Sequence, residues 1–386
     1  MDMQYFVTDN IKDFKCIADK CPDTCCSGWL IEVDEKSLEK YSKVAGDYKK
    51  VIDERIDCSE KVFRQKANGD CSFLCENKLC NMYSVLGEEY LCDTCRLYPR
   101  HIEEFENVRE MTLSISCPEV ARQLMKRTDP VIFEEGRQYF EKESDCAEVE
   151  VFEDFDRQLY EKLLSAREDM LAVLKNREHS YESRAKQVIS MASELQDELD
   201  DVFVDSGYGD LEPEHNRDYA DECSSGSDNC GEFCEALYEL SESLFGSLHE
   251  LEHLKEEREE ELLKAEAILF DCGEECWKAE RCAFREYCHT QGINLEIMRE
   301  QLATYYICAY FCGAVYDDYV FAKAFGAIAN TLLIENMWLA KWIELGHQCS
   351  EEDIVRIVYE YARELENSNP NLIKMDEMMD EYITRV

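Results

Sequence analysis

The stretch that decides the reading of this chain is Cys16-Ile17-Ala18-Asp19-Lys20-Cys21-Pro22-Asp23-Thr24-Cys25-Cys26, four cysteines within eleven residues. Seven more follow before residue 118: Cys58, Cys71, Cys75, Cys80, Cys92, Cys95 and Cys117. That half of the chain's 22 cysteines lies in its first third. Residues 118–222 hold only Cys146, and ten more run from Cys223 to Cys349. Thiolates are soft ligands, and four of them suit zinc or an iron–sulfur cluster. The alternative, buried cysteine used as a small apolar residue, fits eleven cysteines in 117 residues less well. The spacings match neither a two-pair zinc ribbon nor a ferredoxin run, and only Cys92-Asp93-Thr94-Cys95 is a C-x2-C pair. Adjacent Cys25 and Cys26 fit one tetrahedral zinc poorly, which favours a cluster or two sites.

Around these cysteines the chain reads as short pieces. Trp29–Val33 is predicted as a short strand, and Asp34 caps a helix over Glu35–Lys43 that ends near Gly46. Asn68-Gly69-Asp70 marks a turn. Pro118 is placed in the first turn of a helix capped by Ser116 or Cys117. Each piece buries little apolar surface, so a metal core would supply what the hydrophobic core lacks.

Beyond residue 130 the pattern is helical. Phe155, Leu159, Leu163 and Leu164 recur at helical spacing, as do Val188, Met191, Leu195 and Leu199. The segment 205–229 is rich in Gly, Ser, Asp and Asn and is predicted as an exposed loop. Leu295–Phe325, dense in Tyr and Phe, is predicted as the central buried helix or helix pair. The expected fold class is mainly α: an irregular cysteine-rich metal-binding N-terminal module, 1–130, followed by a helical C-terminal domain, 131–386.

Composition narrows the function. Apolar residues make up 45% of the 386, enough for a sizeable core. Asp and Glu number 86 against 42 Lys and Arg, a net charge of −44. Nucleic-acid and anionic-membrane binding depend on cationic side chains, so neither partner is expected. The first ten residues carry no basic or long apolar segment, and Leu302 to Tyr316 is shorter than the ~20 residues a membrane span needs. A cytoplasmic location is therefore expected, where cysteines stay reduced and serve as ligands or catalysts.

Other chemistry is absent or weak. No phosphate-binding glycine loop, dinucleotide fingerprint or H-E-x-x-H is present. Radical chemistry on S-adenosylmethionine needs C-x3-C-x2-C. None of the C-x3-C pairs, at Cys21/Cys25, Cys71/Cys75, Cys230/Cys234, Cys272/Cys276 and Cys308/Cys312, has a cysteine three residues further on. Cys272, Cys276, Cys282 and Cys288 could make a second metal site or line a helix face, and core packing is expected for Cys308 and Cys312. His249 and His253, amid glutamates, are expected to be exposed rather than ligands.

The motifs also carry a resemblance. Phe14-x-Cys16-x4-Cys21-x-Asp23-Thr24-Cys25-Cys26-x-Gly28-Trp29 resembles the opening signature of the flagellin lysine-N-methylase family. Cys71-x-Phe73-Leu74, Leu79-Cys80-x-x-Tyr83, Leu86-Gly87-Glu88, Cys95-Arg96-x-Tyr98-Pro99-Arg100 and Ser116-Cys117-Pro118-Glu119-x-Ala121-Arg122 continue it in family order. They also resemble a broader group of zinc- or iron-chelating cysteine-cluster proteins. The resemblance implies methyl transfer from S-adenosylmethionine to lysine ε-amines of flagellin. It implies an iron–sulfur cluster, four-iron (4Fe-4S), with zinc as the alternative, held by cysteines that map to Cys16, Cys21, Cys25, Cys26, Cys71, Cys80, Cys95 and Cys117. Cys58, Cys75 and Cys92 look like local additions.

Methyl transfer needs a neutral lysine amine in line with a sulfonium methyl, so a desolvated pocket or nearby base must lower its pKa. Asp23, Trp29, Tyr98 and the tyrosines of 305–319 are candidates to line that pocket. Arg96 and Arg100 are candidates for the S-adenosylmethionine carboxylate, with pairing to the module's own carboxylates as the alternative. An acidic exterior would attract a lysine-bearing partner. The competing function is a non-catalytic zinc- or iron–sulfur-binding interaction or electron-transfer protein, which would show no affinity for S-adenosylmethionine.

Overall fold

A computed structural model describes residues 2–140, 155–205, 230–255 and 257–384. The loop expected over 205–229 lies outside them apart from Asp205, as do Cys146 and Cys223.

The first third is built from small elements: β1 (Gln4–Thr8), α1 (Glu35–Ser42), α2 (Asp47–Arg55), β2 (Ile56–Asp57), β3 (Val62–Phe63), α3 (Asn81–Leu86) and α4 (Asp93–Leu97). A hairpin, β4 (Arg100–Phe105) and β5 (Val108–Leu113), then leads into α5 (Pro118–Lys126), β6 (Phe133–Glu135) and α6 (Arg137–Phe140). Asp34 does cap α1, accepting from the Ser37 N–H at 2.8 Å. Pro118 does open α5, with Cys117 as the cap. The strand expected over Trp29–Val33 shrinks to a single bridge, Glu32 to Val62, because its partner among the described residues, β3, is two residues long.

The rest is helical: α7 (Arg157–Lys175), α8 (Tyr181–Asp205), α9 (Cys230–Ser247), α10 (Arg258–Phe270), α11 (Glu274–Thr290), α12 (Leu295–Tyr310), α13 (Val320–Glu344), α14 (Glu351–Glu366) and α15 (Asn369–Asp380). The periodic leucines do their work here, with Leu159 and Leu163 of α7 and Val188 of α8 buried. The aromatic segment 295–325 spans α12 and the start of α13, both buried along almost their whole length. Cys308 and Cys312 are core residues, as expected. Among the described residues no helix is long and apolar enough to cross a membrane.

A four-stranded sheet of order β4-β5-β1-β6 was not anticipated. β1 runs parallel to β5, in the register Phe6 to Glu110, and antiparallel to β6. β5, Val-Arg-Glu-Met-Thr-Leu, is buried at every position, so it lacks the in–out alternation by which strands are read. Its Glu110 is instead neutralised by a bidentate pair with Arg167 of α7, both contacts 2.6 Å. Two hydrophobic cores result. A small one gathers Ile31, Val33, Tyr41, Phe63, Phe73 and Met82 with Cys71 and Cys92. The large one joins the sheet and α5 to the helices.

Candidate functional site

The thiols of the first third are held by backbone bonds between loops rather than by regular elements. The Cys71 N–H donates to the Cys26 carbonyl at 2.7 Å, the Cys75 N–H to Leu79 at 2.9 Å, and the Asn81 N–H to Phe73 at 2.7 Å. Gly28 turns the chain at φ +87°, a conformation that favours glycine. The turn brings Trp29 back so that its indole donates to the Cys25 carbonyl at 2.9 Å.

These loops bring the predicted cysteines together. Cys25 lies within electrostatic reach of Cys21, Cys26, Cys80, Cys95 and Cys117. Cys71 neighbours Cys80 and Cys92, and Cys21 neighbours Cys16. Cys92 and Cys75, read as local additions, sit in the same group: Cys92 beside Cys95 and Cys71, Cys75 beside Cys80. Cys58 is exposed, in the turn between β2 and β3. The hydrogen bond with Cys26, and then burial, push the Cys25 thiol well above its usual range. Burial lifts Cys71 to about 11 and Cys117 to about 12. Ten of these cysteines thus form a dense group of soft donors. Yet among the described residues no three His, Cys, Asp or Glu side chains are placed to hold one metal ion.

Elsewhere the cysteines disperse. Cys272 pairs with Cys276, Cys282 is exposed, and Cys288 faces the core near Cys349, so the four do not converge. His249 and His253 are half-buried rather than exposed, and both meet Glu259, at 3.1 and 2.8 Å.

A second group of side chains adjoins the thiols, where α12 and α14 meet the chain between β5 and α5. Arg363 of α14 reaches across: its Nε donates to the Ser116 carbonyl at 2.9 Å and its Nη1 pairs with Asp23. Its Nη2 is buried with no partner among the described residues. The Tyr98 and Ser116 hydroxyls are 3.1 Å apart, and the Ser116 and Ser114 hydroxyls 2.5 Å. Ser114 donates to Glu366, the last residue of α14. The other Glu366 oxygen accepts from the Tyr305 hydroxyl at 3.0 Å. Tyr305 bonds in turn with Tyr310, whose ring lies 5.2 Å from that of His101. A continuous chain of hydroxyls therefore runs from the aromatic helix through a carboxylate to the edge of the thiol group.

Burial dominates the titration of this chain. It lifts Glu366 to about 7, against the bonds from Ser114 and Tyr305 and the charge of His101. Burial alone would lower His101, but Glu103, Glu366 and the Ala309 carbonyl outweigh it and raise the imidazole. Tyr98, Tyr305, Tyr306 and Tyr310 are all pushed well above their ordinary range, chiefly by burial, and stay neutral donors.

Of the pocket candidates named from sequence, the structure gathers Asp23, Trp29, Tyr98, Tyr305, Tyr306 and Tyr310 at this junction. It adds Glu366, His101, Ser114 and Arg363, which nothing in their local sequence marks. Arg96 is engaged by Asp93 of its own helix at 2.9 Å. Arg100 makes no ion pair among the described residues and lies over the Phe14 ring, 5.9 Å from its centroid.

The fold and site describe a helical protein with a thiol-rich module and a buried acid–tyrosine chain where the two meet. Residues 167–385, more than half of the chain, match the FliB lysine N-methylase C-terminal domain, and the chain belongs to that family. It is 30% identical over 130 residues to the lysine-N-methylase of Salmonella typhimurium, 32% of each chain. It is 29% identical over 133 residues to that of Salmonella choleraesuis, 32% of this chain and 33% of the other. The chain therefore spans about a third of the length of these two relatives. The flagellar biosynthetic protein FliU of Salmonella muenchen is 28% identical over 137 residues, 33% of this chain and 81% of FliU. No solved structure matches.

Proposed function

We propose that this protein is a cytoplasmic lysine N-methyltransferase that moves a methyl group from S-adenosylmethionine to lysines of flagellin. The observation that carries the reading is the hydroxyl–carboxylate chain centred on Glu366. It lies at the contact between the family's C-terminal domain and the thiol-rich module. Lysine methylation requires the ε-ammonium to lose a proton in a desolvated place, and a buried carboxylate ringed by tyrosines suits that step. A flagellin substrate is supported by the relative named as a flagellar biosynthetic protein. It is also supported by a net charge of −44, which speeds encounter with a lysine-bearing surface. Arg100, free of carboxylates among the described residues, is the better placed of the two arginines to receive the donor's carboxylate.

The module, residues 1–130, is assigned an iron–sulfur cluster. Soft, crowded thiols suit it chemically, although their arrangement does not suit a single ion. In a four-iron cluster each thiolate binds a different iron, so four ligands around one point are not required. The residues proposed to hold it are drawn from Cys16, Cys21, Cys25, Cys26, Cys71, Cys80, Cys95 and Cys117. Its role would be structural support for the loops that carry Asp23 and Tyr98.

The test begins with anaerobic purification, iron, sulfide and zinc content, and titration of S-adenosylmethionine. Flagellin is then incubated with methyl-labelled donor and analysed by mass spectrometry. Saturable donor binding and lysine-borne label are expected. Absence of both would turn the reading to a non-catalytic metal-stabilised interaction protein. Zinc without sulfide would remove the cluster alone.

A further inference from the structure

Buried acids among the described residues fall into two kinds. Glu110, Glu300 and Glu335 are each neutralised by arginine: Glu110 by Arg167, Glu300 by Arg177 and Arg184, Glu335 by Arg281 and Arg299. That is the ordinary requirement for a charge taken from water. Like Glu364, which accepts from the Leu254 N–H at 2.9 Å, Glu366 is of the other kind. It makes no ion pair among the described residues and is held by Ser114, Tyr305 and the Ser116 N–H alone. The adjacent arginine, Arg363, turns its Nε to the Ser116 carbonyl and its Nη1 to Asp23, and makes no ion pair with Glu366 among the described residues.

The surroundings of Glu366 suit a cation that comes and goes. The rings of Tyr305 and Tyr306 lie 5.2 Å apart and those of Tyr306 and Tyr310 6.3 Å apart, a row of aromatic faces beside the carboxylate. Such faces attract an ammonium group. The Tyr306 hydroxyl is 2% exposed as a residue, faces Glu366 electrostatically and has no partner among the described residues. Glu366, His101 and Tyr310 are each half-buried rather than fully enclosed.

The geometry points to Glu366 as the group that receives the substrate's alkylammonium among Tyr305, Tyr306 and Tyr310 and takes its proton. This rests on the methyltransferase reading for the step that follows. The Glu366 carboxylate takes one proton from R–NH3+, leaving R–NH2 and a neutral carboxylic acid. The freed nitrogen lone pair forms the new N–C bond to the sulfonium methyl of S-adenosylmethionine. The C–S bond breaks with its electron pair on sulfur, giving neutral S-adenosylhomocysteine and R–NH2CH3+. Burial holds the Glu366 acid near 7, where a base working at neutral pH belongs. The groups that face it are Ser114, His101 of β4, Tyr305, Tyr306 and Tyr310 of α12, and Tyr361 of its own helix.

Two measurements on the full chain separate this inference from the reading it rests on. The first titrates n-butylammonium into the protein and into E366Q and needs no turnover. Saturable binding is expected, weakened at least about tenfold in E366Q, with S-adenosylmethionine affinity unchanged. The second compares methylation rates against pH. The unaltered protein should show an acidic limb, activity rising through about pH 7 as Glu366 deprotonates. E366Q should lose that limb and about a hundredfold or more in kcat. Formate should restore part of the rate to Glu366→Ala, which a purely structural carboxylate would not permit. If E366Q does not fold, Glu366→Asp carries the comparison, with the limb kept and the rate lowered. Amine binding and a pH profile both indifferent to E366Q would overturn the inference and leave the methyltransferase reading standing. Glu366-dependent amine binding without methylation of flagellin would do the reverse.

Discussion

The two cores of this protein are stabilised differently. In the helical part, α12 and α13 are buried along nearly their whole length, and large side chains such as Trp338, Phe321 and Phe325 are at most 1% exposed. In the thiol-rich part, helices run five to nine residues, strands two, and the core is a handful of side chains. Each large apolar side chain buried there contributes about 1.5–3 kcal/mol, while ordering each loop residue costs about 1–2 kcal/mol. A small core opposed by many loops needs a cross-link that the helical part does not. The iron–sulfur cluster proposed for the thiols would supply one.

Removing that cross-link should have the largest effect. Cys25→Ser or Cys26→Ser is expected to lose bound metal and the structure of the small core together. Amide exchange should accelerate across residues 31–95 and stay slow in α12 and α13. Full metal content with undiminished protection in both variants would refute the ligand assignment and leave the small core self-supporting.

Next is the link between the sheet and the helices. Arg167→Met leaves Glu110 buried between β5 and α7 without its partner, which should cost about 3–5 kcal/mol. Replacing both residues by Met should cost far less. Urea unfolding of the two variants decides it. If the sheet shares the helices' core energetically as well as geometrically, sheet and helices will melt in one transition.

These regions also differed in how far the sequence revealed them. The helical part was readable because Leu159 and Leu163, or Val188 and its successors, repeat the helix period on one face. The cap at Asp34 and the proline of α5 were readable because each is a local rule. The sheet was not: its neighbours β1 and β5 lie about a hundred residues apart, and β5 buries Arg109, Glu110 and Thr112 as well as its apolar residues. In the site, composition singled out the cysteines and tyrosines. Glu366 was invisible as one acid among 86, since only tertiary packing sets it against Tyr305 and Ser114 without an arginine.

Glu366 should also leave its mark on stability, smaller than that of Arg167. Its folded pKa of about 7 lies above the ordinary value of 4.5, so between them the folded state holds a proton the unfolded chain has released. Stability should therefore fall as pH rises from about 4.5 to 7, by roughly 3 kcal/mol. E366Q should flatten that slope and be the more stable protein at pH 8. Urea midpoints at pH 5 and pH 8 test it. A wild-type slope of the same size in E366Q would assign the effect to other groups.

The smallest effect expected joins the two ends of the thiol-rich part. One Asp34 oxygen accepts from the Ser37 N–H at 2.8 Å, and the other from the Asp93 N–H at 2.9 Å, at the start of the Cys92–Cys95 turn. Burial alone would raise the Asp34 pKa, but these two N–H groups outweigh it and hold the carboxylate below its usual range. Its contribution is thus present above the ordinary aspartate pKa and is lost as pH falls through the lowered folded value. Asp34→Ala should cost about 1 kcal/mol, the worth of a cap. Asp34→Asn keeps the acceptor for Ser37 but not the charge, and should lose less. If the proposed cluster cross-links the thiols, it will hide most of this loss in the loaded protein. With metal removed, the same substitution should visibly loosen α1 and the Cys92–Cys95 turn by amide exchange. An Asp34→Ala effect of equal size with and without metal would mean that the small core does not depend on its thiols.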